Sequence, residues 1–301
     1  MLRKTLLTTV FISSFFQFEA QGTFIPEEDI KITNRIFSER DANMTEAEFN
    51  GVIEKARLYY TPIVSAHGGK LDIIGAWTDD TLNASASQFF GTWRVNMYGG
   101  LARHPEMTLD GFAMVLCHEI GHHLAGFSFT KSMFGGVWAA NEGQSDYFAA
   151  HSCARELWGP EVEVNATFRE PANELVKQRC DLAWQNEDEQ NLCYRINAAG
   201  ESLARVLSSL KKDETFPQYD TPDANKVGQT DNRHPQAQCR LDTTFSASVC
   251  QADFNTSIIP GKKATDPYGP DAEKEASENS CMEISGYTEG LRPRCWFSPG
   301  V

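Results

Sequence analysis

Residues 117–126 read Cys117-His118-Glu119-Ile120-Gly121-His122-His123-Leu124-Ala125-Gly126. They contain His118, Glu119 and His122 in the pattern H-E-x-x-H, a metal-binding motif when it lies on a helix. Positions i and i+4 of a helix differ by about 40° in direction and one turn in height. His118 and His122 therefore present two imidazoles to one ion. Glu119 is rotated about 100° from His118, which makes it a poor third ligand but places it beside a metal-held water whose proton it can accept. Its expected role is general base.

Five residues are a weak signal, so the third ligand decides. Twenty residues after His122 stands Glu142, in the stretch Ala140-Asn141-Glu142-Gly143-Gln144-Ser145-Asp146-Tyr147, with Glu142 and Asp146 again at i, i+4 spacing. One face of a second helix then carries two carboxylates. Open catalytic zinc sites take three protein ligands, and two histidines with a glutamate are one known set. Glu142 completes that set. Asp146, one turn on, is expected to accept from the far nitrogen of a ligand histidine, His118, and so fix its tautomer.

These residues resemble the gluzincin metallopeptidases, in which H-E-x-x-H on one helix is joined by the glutamate of E-x-x-x-D on the next. The Asn-Glu-x-x-Ser-Asp form and short spacing are similar to the thermolysin type. Glu142-x-x-Ser145-Asp146-Tyr147-Phe148-Ala149 is also similar to the CAAX-prenyl-protease and Oma-type family, and His234-Pro235 followed by Arg240 has the His-Pro-x-x-x-x-Arg spacing which that family places beside its active site. The resemblance spans about residues 90 to 245 and implies one zinc ion per chain and peptide-bond hydrolysis. On it, His234 and Arg240 stabilise the oxyanion of the tetrahedral intermediate, or His234 caps the metal in a latent form. As ordinary structure they would be a Pro-capped helix start with an exposed arginine. The chain departs from membrane-embedded members by lacking a hydrophobic span after its N-terminus, so a prenylated substrate is not implied.

The chain has 301 residues and a formal charge of -14. Such an acidic balance, without a basic cluster, argues against nucleic acid as a partner. Residues 1–20 begin with Arg3 and Lys4, run through an apolar stretch from Leu6 to Phe16 and reach Ala20. This is the layout of a signal peptide, or of an uncleaved anchor given Phe18 near the cleavage point. A secreted or periplasmic protein is expected, not membrane-spanning once the signal is removed. Eight cysteines in an exported chain read as disulfides. Cys180 with Cys193 and Cys281 with Cys295 are local candidates. Cys117 and Cys153 either bridge the two metal-bearing helices or stay as buried thiols. On one helix over 235–250, Cys239 and Cys250 stand about 16 Å apart and cannot pair with each other. The sequons at Asn43, Asn83, Asn165 and Asn255 read as chance occurrences.

The expected fold class is α+β, mainly helical: a zincin-like metallopeptidase with a small antiparallel sheet next to the H-E-x-x-H helix. An N-terminal arm covers 21–43, the metallopeptidase domain 44–250, and an irregular, disulfide-linked tail 251–301. Thr45-Glu46-Ala47-Glu48 is a capping box for a helix over 45–65. Runs at 71–77, 85–90 and 93–98 read as strands, and 93–98 is, by resemblance, either an exposed edge for substrate or an ordinary internal strand. Thr108 caps the first metal helix, the second runs over 138–157, and further helices are expected at 171–184 and 188–211. His67, His104, His123 and His151 are read as structural or solvent-facing. The function expected is a zinc metalloendopeptidase acting on extended protein or peptide segments. The alternative is a catalytically silent zinc-binding scaffold or assembly factor.

Overall fold

The computed structural model describes residues 22–29, 37–38, 42–131, 136–211 and 215–300. The expected signal peptide and part of the expected N-terminal arm lie outside these residues. Among the described residues the protein is mainly helical with one small sheet.

The first long helix, α1 (Glu46–Ala66), starts at the expected capping box, with the Thr45 side chain accepting from Glu48 N and the Glu48 side chain from Thr45 N. It buries Phe49, Ile53, Ala56, Tyr60 and Val64, a 3–4 spacing that gives one apolar stripe. Three strands follow, β2 (Lys70–Ala76), β3 (Ala84–Phe89) and β4 (Thr92–Tyr98). A two-residue strand, β1 (Gly22–Thr23), joins them from the N-terminal arm, and the sheet order is β1-β3-β4-β2.

This corrects one expectation and decides an open one. The sheet is mixed, because β2 pairs with β4 in parallel, Ile73 opposite Val95, while β3 and β4 form the antiparallel hairpin. Of the two readings of 93–98 the internal strand is the one observed, since β4 is held by β3 and β2, while β3 has β4 on one side and only the short β1 on the other. The turn Phe90-Gly91, with positive φ values of 44° and 78°, closes β3 tightly onto β4, and β2 pairs along β4's other side.

The metal helix α2 (Leu109–Leu124) is capped by Thr108, whose side chain accepts from Gly111 N, and every residue from Gly111 to Leu124 is buried. Helix α3 (Glu142–Phe148) begins at Asn141 and continues through a π turn, Ala149–Cys153, into Ala154–Trp158. Helices α4 (Glu174–Ala183), α5 (Glu187–Ser209) and α6 (Ala237–Ser248) complete the helical layer, and α7 (Pro270–Ala276) lies in the tail.

Four disulfides form and no described cysteine is free. Cys117–Cys153 joins α2 to the second metal helix and Cys180–Cys193 joins α4 to α5. The expected Cys281–Cys295 pair does not form: Cys239 takes Cys295 and Cys250 takes Cys281. Each end of α6 is thus tied to the tail. The tail is irregular, as expected, but not peripheral. Trp296 is fully buried, and Phe297, Cys281 and Met282 belong to the same core as α1 and α2. No helix among the described residues is long and apolar enough to cross a membrane.

Candidate metal centre

The two metal helices meet face to face because α2 offers a glycine where α3 comes closest, Gly121 lying against the backbone of Ser145. The side chains of His118, Glu119 and His122 converge, with one candidate ligand atom from each within 4.8 Å of the others. Glu142 closes the group from α3. Its Oε2 is 3.2 Å from His118 Nε2 and its Oε1 3.7 Å from His122 Nε2. The sequence-expected set is therefore brought together.

The outward nitrogens are committed elsewhere. Nδ1 of His118 donates to Asp146 Oδ1 at 2.7 Å, and Nδ1 of His122 donates to the Ala140 carbonyl at 2.8 Å. With the proton on Nδ1, each ring turns an Nε2 lone pair inward. Those two Nε2 atoms, both oxygens of Glu119 and Oε2 of Glu142 are buried without a hydrogen-bond partner. Buried polar atoms left unpaired are costly, about 1–3 kcal/mol each. Five of them aimed into one space fit a cation that coordinates some and orders a water for others. The cluster can hold a metal ion.

The electrostatics agree with a site built around positive charge. Burial pushes the Glu119 carboxyl up to about 8. Burial also opposes ionisation of Glu142, but His122, His234 and His118 outweigh it and hold that carboxyl far below the usual range. His122 is driven down to about 4, chiefly by burial. For His118 burial is again the largest influence and disfavours the charged ring, yet the charge and hydrogen bond of Asp146 carry it up to about 9. Metal ligands must give up their protons, so an ion entering here displaces the proton of His118 and favours ionised Glu119.

Arg240 is buried and meets the ligand cluster from behind, its Nη2 lying 3.2 Å from His118 Nδ1. Its Nε and Nη2 bind both oxygens of Asp146, at 2.8 and 2.6 Å, and its Nη1 donates to the Phe24 carbonyl at 2.8 Å. The structure thus places Arg240 behind Asp146, which departs from a group held over a reacting carbonyl. His234 does reach the cleft. Its Nε2 is 3.4 Å from Glu142 Oε2 and donates to the Thr23 carbonyl. The loop before it is fixed by Asn141, the N-cap of α3, whose Nδ2 donates to Asn232 Oδ1 at 3.0 Å.

His123 is structural: its ring stacks between Trp93 and Trp138, with Nε2 on the Arg94 carbonyl. His151 is buried too, on the Ala252 carbonyl at 2.7 Å. Of the sequons, Asn83 and Asn165 are buried and bonded internally. Sequence reasoning missed Phe24, which touches His118, and Asn83 and Trp296, which hold the neighbouring Ile25 and Gly143 in place. Phe24 lies edge-on to His118 at 5.4 Å, and Trp296 packs so closely on Gly143 that a Cβ there would sit 2.2 Å from the indole.

Comparison with known proteins finds no matching family, no matching curated protein and no matching solved structure. The geometry of the centre therefore carries the functional argument alone.

Proposed function

We propose that the protein is an exported zinc metalloendopeptidase of gluzincin type, cleaving peptide bonds in extended segments of other proteins. The observation that carries this reading is the group of inward, unpartnered buried atoms from His118, His122, Glu142 and Glu119. Three make a known open ligand set, and the fourth is a carboxylate with no structural bond to satisfy. His118, His122 and Glu142 would hold the ion. When bound, zinc supplies Lewis-acid polarisation of a carbonyl and acidifies water.

The chain's own residues supply the rest. Glu119, held in a water-poor wall with a raised proton affinity, takes a proton from water and returns it to the departing amine. Asp146 and the Ala140 carbonyl keep the two imidazoles in the ligating tautomer. His234, bonded to a peptide carbonyl, Thr23 O, would donate in the same way to the carbonyl of a substrate. Export is supported by the four disulfides, which form and persist in oxidising compartments.

Glu119→Gln tests the reading. Turnover of an unbiased peptide pool should fall by about 10²–10⁴-fold, the usual contribution of a general base, while metal content stays at one ion per chain. Turnover that survives the substitution would sink this reading, and no turnover by the metal-loaded protein, even with the β1 segment loosened by Gly22→Ala, would leave a zinc-binding scaffold.

A further inference from the structure

One strand of the sheet comes from far away in sequence and runs over the metal centre. Gly22 and Thr23 pair antiparallel with Ala86 and Ser85 of β3, and Phe24 N donates to the Ala84 carbonyl at 3.2 Å. A Cβ built on Gly22 would stand 2.6 Å from His122 Nε2, the nitrogen that faces the ion. The next residues are gripped in turn. His234 binds the Thr23 carbonyl, Arg240 binds the Phe24 carbonyl, and Asn83 takes both main-chain groups of Ile25, accepting from N at 2.9 Å and donating to O at 3.0 Å.

The side chains are seated as well. Phe24 is fully buried, its ring edge-on to His118 and 4.3 Å beneath the Arg240 guanidinium, and Ile25 is fully buried beside it. A cleft bordered by Pro26, His234 and Arg240 continues from this stretch. Such a pattern, main-chain hydrogen bonds along a sheet edge with pockets for particular side chains, is how an extended peptide is recognised by strand addition.

We propose that Gly22–Ile25 is a built-in occupant of the peptide-binding groove, held as a substrate would be, and that it closes the groove to other peptides until displaced. The groove it marks lies along β3 and takes an extended peptide with an aromatic residue followed by an aliphatic one. This rests on the peptidase reading for its consequence, but not for the binding itself. A peptide in solution and the chain's own segment compete for one edge, so loosening the segment opens the site. Gly22 is the point where this balance is most sensitive, because any side chain there meets the His122 ring.

The test uses the full, metal-loaded chain in a Glu119→Gln background, so that binding is read without cleavage. A fluorescent hexapeptide, Gly-Thr-Phe-Ile-Pro-Glu, is titrated into this protein and into versions also carrying Gly22→Ala or Phe24→Ala. Either substitution should tighten peptide binding at least tenfold and speed hydrogen exchange at the Phe24 and Ile25 amides. As a measurement that needs no segment variant, rising peptide should itself speed exchange at those two amides, Phe24 and Ile25, in the otherwise unaltered chain. Unchanged exchange at saturating peptide, or unchanged affinity in correctly disulfide-bonded variants, overturns the proposal. With Glu119 restored, Gly22→Ala should raise turnover of the peptide pool at least tenfold. Tighter binding without turnover keeps the occupant and removes the peptidase. Turnover that Gly22→Ala leaves unchanged, with unchanged exchange, removes the occupant and keeps the peptidase.

Discussion

Asp146 serves two buried partners at once, His118 and Arg240, and is itself almost wholly out of water. Replacing it with asparagine keeps the shape but removes the charge that balances Arg240. Asp146→Asn should weaken metal binding about 10–100-fold, the usual effect of losing a partner behind a ligand. It should also cost about 3–5 kcal/mol, because a buried guanidinium loses its counterion. Competition with a chelator and thermal melting read the two effects separately. His151 gives a pH prediction away from the metal. Burial is the main reason its ring protonates only near 4 in the folded chain, against about 6.5 when unfolded. Between those values the unfolded chain binds the extra proton, so this contribution is complete above pH 6.5 and stability falls as pH drops towards 4. The loss approaches about 3 kcal/mol, and His151→Gln should flatten that part of the melting-temperature profile. The ligand residues were legible because helical spacing alone aims them together. Arg240 was legible as a position but not as a partner of Asp146, since nothing in a linear pattern says which way a guanidinium points.

Elements were easier to find than their neighbours. The helix starts at Thr45 and Thr108 were readable because a capping side chain acts within three residues. The strands were readable from composition, but the parallel pairing of β2 with β4 depends on contacts that no local signal encodes. Phe24 and Asn83 escaped for the same reason: each is an ordinary loop residue until β1 docks on β3. Disulfide pairing followed this rule too. Cys180–Cys193 spans a hairpin and was foreseeable, whereas Cys239–Cys295 depends on the tail returning to α6. That bridge closes a span of 56 residues, for which chain entropy gives about 4 kcal/mol. The double variant Cys239→Ser, Cys295→Ser should lose stability on that scale in denaturant melts. Its metal content should hold, because no ligand residue lies on α6.

At the scale of the whole molecule, an ion held by His118, His122 and Glu142 would pin together two helices buried in the main core, so removing it should loosen that core as a unit. Chelation should lower the melting temperature in one cooperative step. An ion present at about a thousand times its dissociation constant contributes about 4 kcal/mol to the folded state. A melt unchanged by chelator would show that the centre is rigid without an ion. The expected boundary at residue 250 was readable as a change in composition, yet the core crosses it, because Trp296 donates to Thr243 Oγ1 and its ring lies under Gly143. The Trp296 backbone also binds Asp231 N, and so braces the approach to His234. This indole under α3 makes the candidate centre depend on the far end of the chain. A gene fragment ending near residue 250 would carry every ligand into a new host but leave a hole beneath the glutamate helix. The last fifty residues therefore belong to the support of the centre as much as the helices that carry its candidate ligands.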